Sequence, residues 1–149
     1  MEETEKMLYR YGSLNRQIDE CRKNIRELTA EKYACMDSLL RAPKLEGESQ
    51  KMKTCGDPVY RIVQKMVDIY DARIAKAADV LGGLYTEFDE LQRWISAAEL
   101  NGDEHEYIRL RYIGQNSVTD IAEMIGYSER QTQRLKKRLL HRIEDARRG

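Results

Sequence analysis

An all-α chain is expected, with a long N-terminal coiled coil or helical hairpin followed by a C-terminal helix-turn-helix domain. Three observations lead there. Two apolar stripes run through residues 1–100 with four-three spacing, the stretch Ser117–Leu135 places two capping serines around a turn glycine, and only two prolines interrupt 149 residues. Charged residues make up 35% of the chain, which suits helices with broad solvent-facing sides.

In the first stripe Met7, Tyr11, Leu14, Ile18, Cys21, Ile25, Leu28, Lys32, Cys35 and Leu39 keep strict four-three spacing, with Lys32 the polar interruption. A stripe that narrow is a coiled-coil seam. Ala42 and Pro43 break it, and a polar, glycine-bearing loop (about residues 42–57) leads to Asp57 and Pro58, an N-cap followed by proline at the first helical position.

The second stripe runs Val59, Val63, Met66, Tyr70, Ile74, Ala77, Leu81, Leu84, Phe88, Leu91, Ile95 and Ala98. Only the step from Tyr70 to Ile74 departs from alternation, a stutter rather than a loss of pattern. Gly82 and Gly83 are places for a bend or a division, since each costs about 1 kcal/mol against alanine in a helix. Asn101 and Gly102 are expected to end this helix and Asp103 to cap the next. Trp94 lies beside the seam, where it either packs the long helix onto the terminal domain or faces solvent or a partner. Stripes of this length, each up to about 60 Å if unbroken, cannot be buried by a small terminal domain. They pair within the chain as an antiparallel hairpin, or between chains as a dimer, and the sequence leaves the topology open. Residues 1–100 are thus assigned to a helical oligomerisation segment and 103–149 to the terminal domain.

The terminal motif has a physical reason at each position. If Val118 opens it, a first helix packs inward through Ile121, Ala122 and Ile125, and Tyr127, Thr132 and Leu135 complete the core. Ala122 is small where helices cross closely, and Gly126 sits just past a helix end, where a positive φ is cheap without a Cβ. Ser117 and Ser128 are N-caps. With Thr132, Leu135, Leu139 and Ile143 inward, helical period turns Glu129, Arg130, Gln133, Arg134 and Lys137 outward. Arginine offers a fork to guanine, glutamine pairs with adenine, and glutamate accepts from the cytosine amino group. From Ser128 onward eight Arg or Lys face three acids, a local excess of five positive charges. The expected role of that face is to enter a DNA major groove, with Glu129, Arg130, Gln133 and Arg134 reading bases and Ser117, Ser128, Lys137 and Arg138 meeting phosphates.

The stretch Glu104–Asp145, EHEYIRLRYIGQNSVTDIAEMIGYSERQTQRLKKRLLHRIED, resembles region four of bacterial sigma factors. The matching elements are the acidic opening at Glu104 and Glu106, Leu110 with Arg111 and Tyr112, Gly114, Ser117, Ile121 with Ala122, Gly126 with Ser128, and the basic helix from Glu129. By that resemblance the base-touching positions fall on Glu129, Arg130, Gln133 and Arg134, the four that groove geometry selects, and Ser128 meets phosphate. The resemblance also implies contact with RNA polymerase. The chain lacks the sigma domain that melts DNA, and its layout of helical front and region-four-like end resembles phage and prophage regulators of the RinA and ArpU type.

The net charge of zero hides an asymmetry: residues 1–103 hold 16 basic and 19 acidic groups, while 104–149 hold 10 and 7, so nucleic acid is expected to meet the terminal part. No apolar run approaches the roughly 20 residues of a membrane span and Met1 begins a charged stretch, so a cytoplasmic protein without membrane partners is expected. Cys21, Cys35 and Cys55 show no metal-ligand spacing with each other or with His105 and His141, and free thiols are expected, with no metal or cofactor. Neither a phosphate-cradling glycine loop nor a nucleophile motif is present, so no catalytic residues are assigned and an enzyme is not expected. A cytoplasmic transcription regulator that binds double-stranded DNA as a homodimer through its N-terminal helices is the expected function. Alternatives are the small subunit of a phage DNA-packaging terminase, and a coiled-coil adaptor or anti-sigma-like protein that does not bind DNA.

Overall fold

The computed structural model describes residues Glu2–Arg41 and Pro58–Gly149. The expected loop about residues 42–57, with Pro43, Cys55 and the Asp57 cap, lies outside the described residues. The fold is all-α. Two 40-residue helices, α1 (Glu2–Arg41) and α2 (Pro58–Ala97), are followed by α3 (Gly102–Ile108), a five-residue π-helical stretch (Arg109–Ile113), α4 (Val118–Ile125) and α5 (Glu129–Arg148). No helix among the described residues is long and apolar enough to cross a membrane.

Both stripes are inward. Every seam position of α1 and α2 is buried or half-buried, and Lys32, the polar interruption, bonds across to Asp71 at 2.7 Å. The helix period does not falter at Gly82 and Gly83, where α2 stays helical. A helix anchored along its seam absorbs the propensity cost of about 1 kcal/mol per glycine that an isolated one would not.

The chain forms two compact units, Met1–Asp19 with Gly83–Gly149, and Glu20–Gly82. Where the sequence places a boundary near residue 100, packing groups the start of α1 and the end of α2 with the terminal helices. Within the second unit, the Cys21 thiol donates to the Ala77 carbonyl at 3.3 Å and Lys32 meets Asp71, so the two helices run antiparallel inside one chain. Cys21 and Cys35 are free and half-buried.

Within the first unit, Arg10 grips Glu87 through two bonds of 2.7 Å, the Tyr11 hydroxyl donates to Gln92, and Tyr11 stacks on Phe88 at 5.0 Å, again antiparallel. A single core joins Met7, Leu8 and Tyr11 of α1 to Ile95, Tyr107, Tyr112, Ile121, Leu135, Leu139 and Ile143, with Trp94 partly buried against it. Gly12 is the closest crossing: a Cβ there would stand 1.9 Å from the Tyr112 carbonyl oxygen. Next to it, the Arg16 guanidinium donates to the carbonyls of Tyr112 (2.8 Å) and Ile113 (2.9 Å), which end the π-helical stretch without intrahelical donors.

The start of α3 corrects one expectation. Asn101, not Asp103, is the N-cap: its side chain accepts from the Glu104 amide at 2.9 Å, and the Glu104 carboxylate accepts from the Asn101 amide at 3.3 Å. Asn101 closes a reciprocal capping box with Glu104, three residues on, whereas the glutamate three residues after Asp103, Glu106, is bonded by Arg109. Asp103 instead accepts from the Tyr127 hydroxyl, a bond that raises the Tyr127 pKa above its ordinary value. α2 ends earlier than Asn101, at Ala97, and the chain turns through Glu99 at φ +51.

Candidate nucleic-acid interface

α4 and α5 are set by their caps. The Ser117 hydroxyl accepts from the Asp120 amide and the Ser128 hydroxyl from the Gln131 amide, each at 3.1 Å, while Gln131 reaches back to the Ser128 amide at 2.9 Å. Between them Gly126 adopts φ +75, the left-handed conformation that ends a helix without Cβ strain. Ile121, Ala122, Thr132 and Leu135 are buried, and Ile125 and Tyr127 half-buried, as the inward side of the motif requires. The Thr132 hydroxyl donates to the Ser128 carbonyl at 2.9 Å, so a buried polar group is satisfied inside its own helix.

The opposite side of α5 is solvent. Glu129, Arg130, Gln133, Arg134, Lys137 and Arg138 are all exposed, and so are Ser117 and Ser128. Helical period brings Arg130, Gln133, Arg134 and Lys137 onto one stripe about two turns long. The eight cations of the segment divide into two groups. Lys136 bonds Glu5 at 3.0 Å, Arg142 bonds Glu104 at 2.8 Å, Arg147 donates to Thr4 at 3.3 Å, and Arg148 bonds Glu144 at 3.0 Å. Arg130, Arg134, Lys137 and Arg138 have no hydrogen-bond or ion-pair partner among the described residues. In the first group Lys136, Arg142 and Arg147 tie α5 to α1 and α3, while Arg148 pairs within α5. The second leaves a concentrated positive stripe whose forks and ammonium are free to meet a ligand.

Two of the eight assigned positions sit in a different setting from the rest. The Glu129 carboxylate accepts from the Thr119 hydroxyl at 2.7 Å, which ties the start of α5 to the start of α4 and must be released or shared for Glu129 to meet a base. Each helix carries an acid in its first turn, Asp120 after Ser117 and Glu129 after Ser128, but only the Ser128 end has a cation beside it, Arg130.

Residues to which the sequence assigns no place in the interface pack against the same helices. Arg111 donates to the Asn116 carbonyl (2.9 Å) and the Tyr9 hydroxyl (3.0 Å), and the Asn116 amide donates to the Leu110 carbonyl (2.9 Å), so the loop entering α4 is held by side chains. Gln115 in that loop has φ +59. Glu104 is fully buried and its charge is met by Arg142 from α5. Burial pushes the Tyr107 phenol up to about 12 and raises that of Tyr112 further, so both stay neutral in the core. Gly12 did leave a signal, a helix-unfavourable residue beside a strict apolar seam, which is the mark of close backbone approach. The Arg16 and Lys136 contacts left none, because a cation's partner across 100 residues is not written in local spacing.

No cluster of His, Cys, Asp or Glu suited to a metal occurs among the described residues. The chain matches no protein-family model, no curated protein and no solved structure.

Proposed function

We propose that this chain is a sequence-specific DNA-binding transcription regulator of phage or prophage type that inserts α5 into the major groove. The observation that carries the reading is the division of cations on α5. Three bond to other helices of the first unit, and Arg130, Arg134, Lys137 and Arg138 on the outward side have no hydrogen-bond or ion-pair partner among the described residues. An exposed run of like charge on one stripe repels itself and is favourable where phosphates and base edges neutralise it. Arg130 and Arg134 supply forks for guanine, Gln133 an amide for adenine, and Lys137 and Arg138 flank them toward the phosphates. Polymerase contact rests on the sigma region-four resemblance alone.

Selection of bound duplexes from a random pool tests the proposal, and an enriched motif is the expected outcome. On that motif Arg130→Ala and Arg134→Ala should each cost about 1–3 kcal/mol and relax preference at one or two base positions. Arg148→Ala, at the far end of the helix, should weaken preferred and random DNA alike and lower the salt dependence. Equal losses for inner and outer variants on both DNAs, or a pool without enrichment, would remove α5 as the reader.

A further inference from the structure

The seams that the sequence offers for assembly are spent inside the chain, so a second chain must use what they leave exposed. In the second unit α1 and α2 face each other through those seams, yet among the described residues Val63, 8% exposed, is the only buried hydrophobic side chain there. Outside the seam, Ile62 (50% exposed), Ile69 (46%) and Val80 (54%) fall on one ridge of α2, seven and eleven residues apart. Scattered exposed aliphatics are ordinary, but a ridge in helical register over about 27 Å is not scatter. Lys65, Arg73 and Lys76 occupy the intervening turns of the same ridge.

The neighbouring flank of α1 has the opposite character. Glu20, Asn24, Glu27 and Glu31 recur at four-three-four spacing and are all exposed, with Lys23 at their edge pairing with Glu27 at 4.0 Å. Both flanks border one side of the hairpin, because a groove of about 340 Å³ is lined by Asn24 and Leu28 from α1 and Arg73, Lys76, Ala77 and Val80 from α2. One side of this unit therefore shows an apolar-basic ridge next to an acidic one.

We infer that this side is the docking surface for a second copy of this chain, with α2 of one copy lying along α1 of the other. A two-fold axis parallel to the helices brings the basic ridge of each copy over the acidic ridge of its mate and sets Glu27 and Glu31 opposite Arg73 and Lys76 of the second copy. The same operation lays the α2 ridge of each copy along α1 of its mate, so every contact is made twice, as a closed dimer requires. The alternative axis, perpendicular to the helices, stacks basic ridge on basic ridge and is disfavoured by like charge. An α2 ridge of about 27 Å and an α1 ridge of about 17 Å, on helices about 10 Å wide, bury about 900 Å² in total, the size of a weak, reversible dimer. The inference stands independently of the DNA reading, since it uses no residue of α5.

The test is the solution mass of the full chain without DNA, by sedimentation equilibrium. The expected mass is twice that of the chain, falling by half in Ile69→Asp and Val80→Asp with helicity and melting retained, because both side chains are exposed in the single copy. Glu27→Lys with Glu31→Lys, and separately Arg73→Glu with Lys76→Glu, should each give monomers, and mixing the two double variants should restore the dimer. A monomeric wild type, or a dimer indifferent to all four changes, overturns the inference. Variants that lose the dimer but keep half-site DNA binding would leave the α5 proposal intact, and loss of DNA binding in an intact dimer would do the reverse.

Discussion

The two units use the same pair of helices and the same four-three seam, yet only one of them has a core. In the first unit α1 and α2 close over α3, the π-helical stretch and α5, and side chains such as Leu8, Leu14, Leu139 and Ile143 fall to 0% exposure. In the second, the seam residues Ile25, Leu28, Ile74 and Leu81 stay half-buried. The difference teaches that a seam sets which side chains turn inward, while a third layer sets how far they are buried. It also places the rigid scaffold under the α5 stripe and leaves the exposed aliphatic ridge on the unit that has no third layer.

The sharpest way to break this comparison is at glycines, which the two regions use in opposite ways. Gly12→Val in the first unit should cost about 3 kcal/mol or more, since its Cβ would fall 1.9 Å from the Tyr112 carbonyl oxygen and backbone has to move. Gly82→Ala, with nothing within 4 Å of the added carbon, should instead stabilise its helix by up to about 1 kcal/mol. Thermal melting with amide exchange read separately in each unit checks both signs. A neutral Gly12 variant would mean that α1 does not cross the π-helical stretch at this point.

The pair of glycines also shows what the chain makes legible. Seam membership was readable for α1 and α2 because periodicity is a local property, and so were the Ser117 and Ser128 caps and the left-handed Gly126, each of which depends on neighbours within four residues. The grouping of Glu2–Asp19 with the terminal helices was not, because nothing local distinguishes the Met7 seam from the Leu28 seam. The outward positions of Arg130, Gln133 and Arg134 followed from helical period. The engagement of Lys136 by Glu5, the burial of Glu104 and the π-helical turn at Arg109–Ile113 depend on tertiary packing and left no spacing to read. Asn101 and Asp103 both have capping chemistry, and only the reach of Glu104 back to the Asn101 amide decides between them.

Electrostatics beneath the stripe give the next largest effect. Arg142→Ala should destabilise the first unit by about 3 kcal/mol, the lower end of the range for breaking a buried pair, because Glu104 is fully buried while the Arg142 side chain is 44% exposed. Arg142→Ala combined with Glu104→Gln should recover part of that loss, since no charge is then left without a partner. Chemical denaturation of the three proteins tests it. Equal stability of the single and double variants would show that the cost comes from lost packing rather than from the stranded carboxylate.

A matched pair of leucines measures the third layer directly. Leu14→Ala should cost about 3 kcal/mol, within the range for a fully buried leucine, whereas Leu28→Ala at the equivalent seam position should cost about 1 kcal/mol, in proportion to its partial burial. The difference should shrink at protein concentrations where a dimer covers the second unit, and its persistence at all concentrations would separate the seam from the docking ridge. Denaturant midpoints at two protein concentrations suffice.

The smallest expected effect lies in the cross-helix ion pairs, one in each unit, and the two should respond to opposite ends of the pH scale. In the first unit the Arg10 guanidinium bonds Glu87 and holds its carboxyl below the ordinary carboxylate value. A depressed folded value means that stability is present above the unfolded pKa of about 4.3 and is lost as pH falls through the folded one. In the second unit the hydrogen bond to Asp71 raises the Lys32 pKa above its ordinary value, so its contribution is complete below about 10.4 and is lost as pH rises through the folded value. Arg10 is also raised, but from a value already beyond the working range. Glu87 is exposed by about two-fifths, so solvent screening limits its pair to about 0.2–1 kcal/mol. Glu87→Gln should accordingly flatten the acid limb of stability between about pH 5 and 3, and Asp71→Asn should flatten the alkaline limb through which Lys32 titrates. Both slopes should fade with added salt, and an acid limb unchanged by Glu87→Gln would assign that limb to other carboxylates, Glu106 beside Arg109 among them, whose pKa is lowered in the same direction.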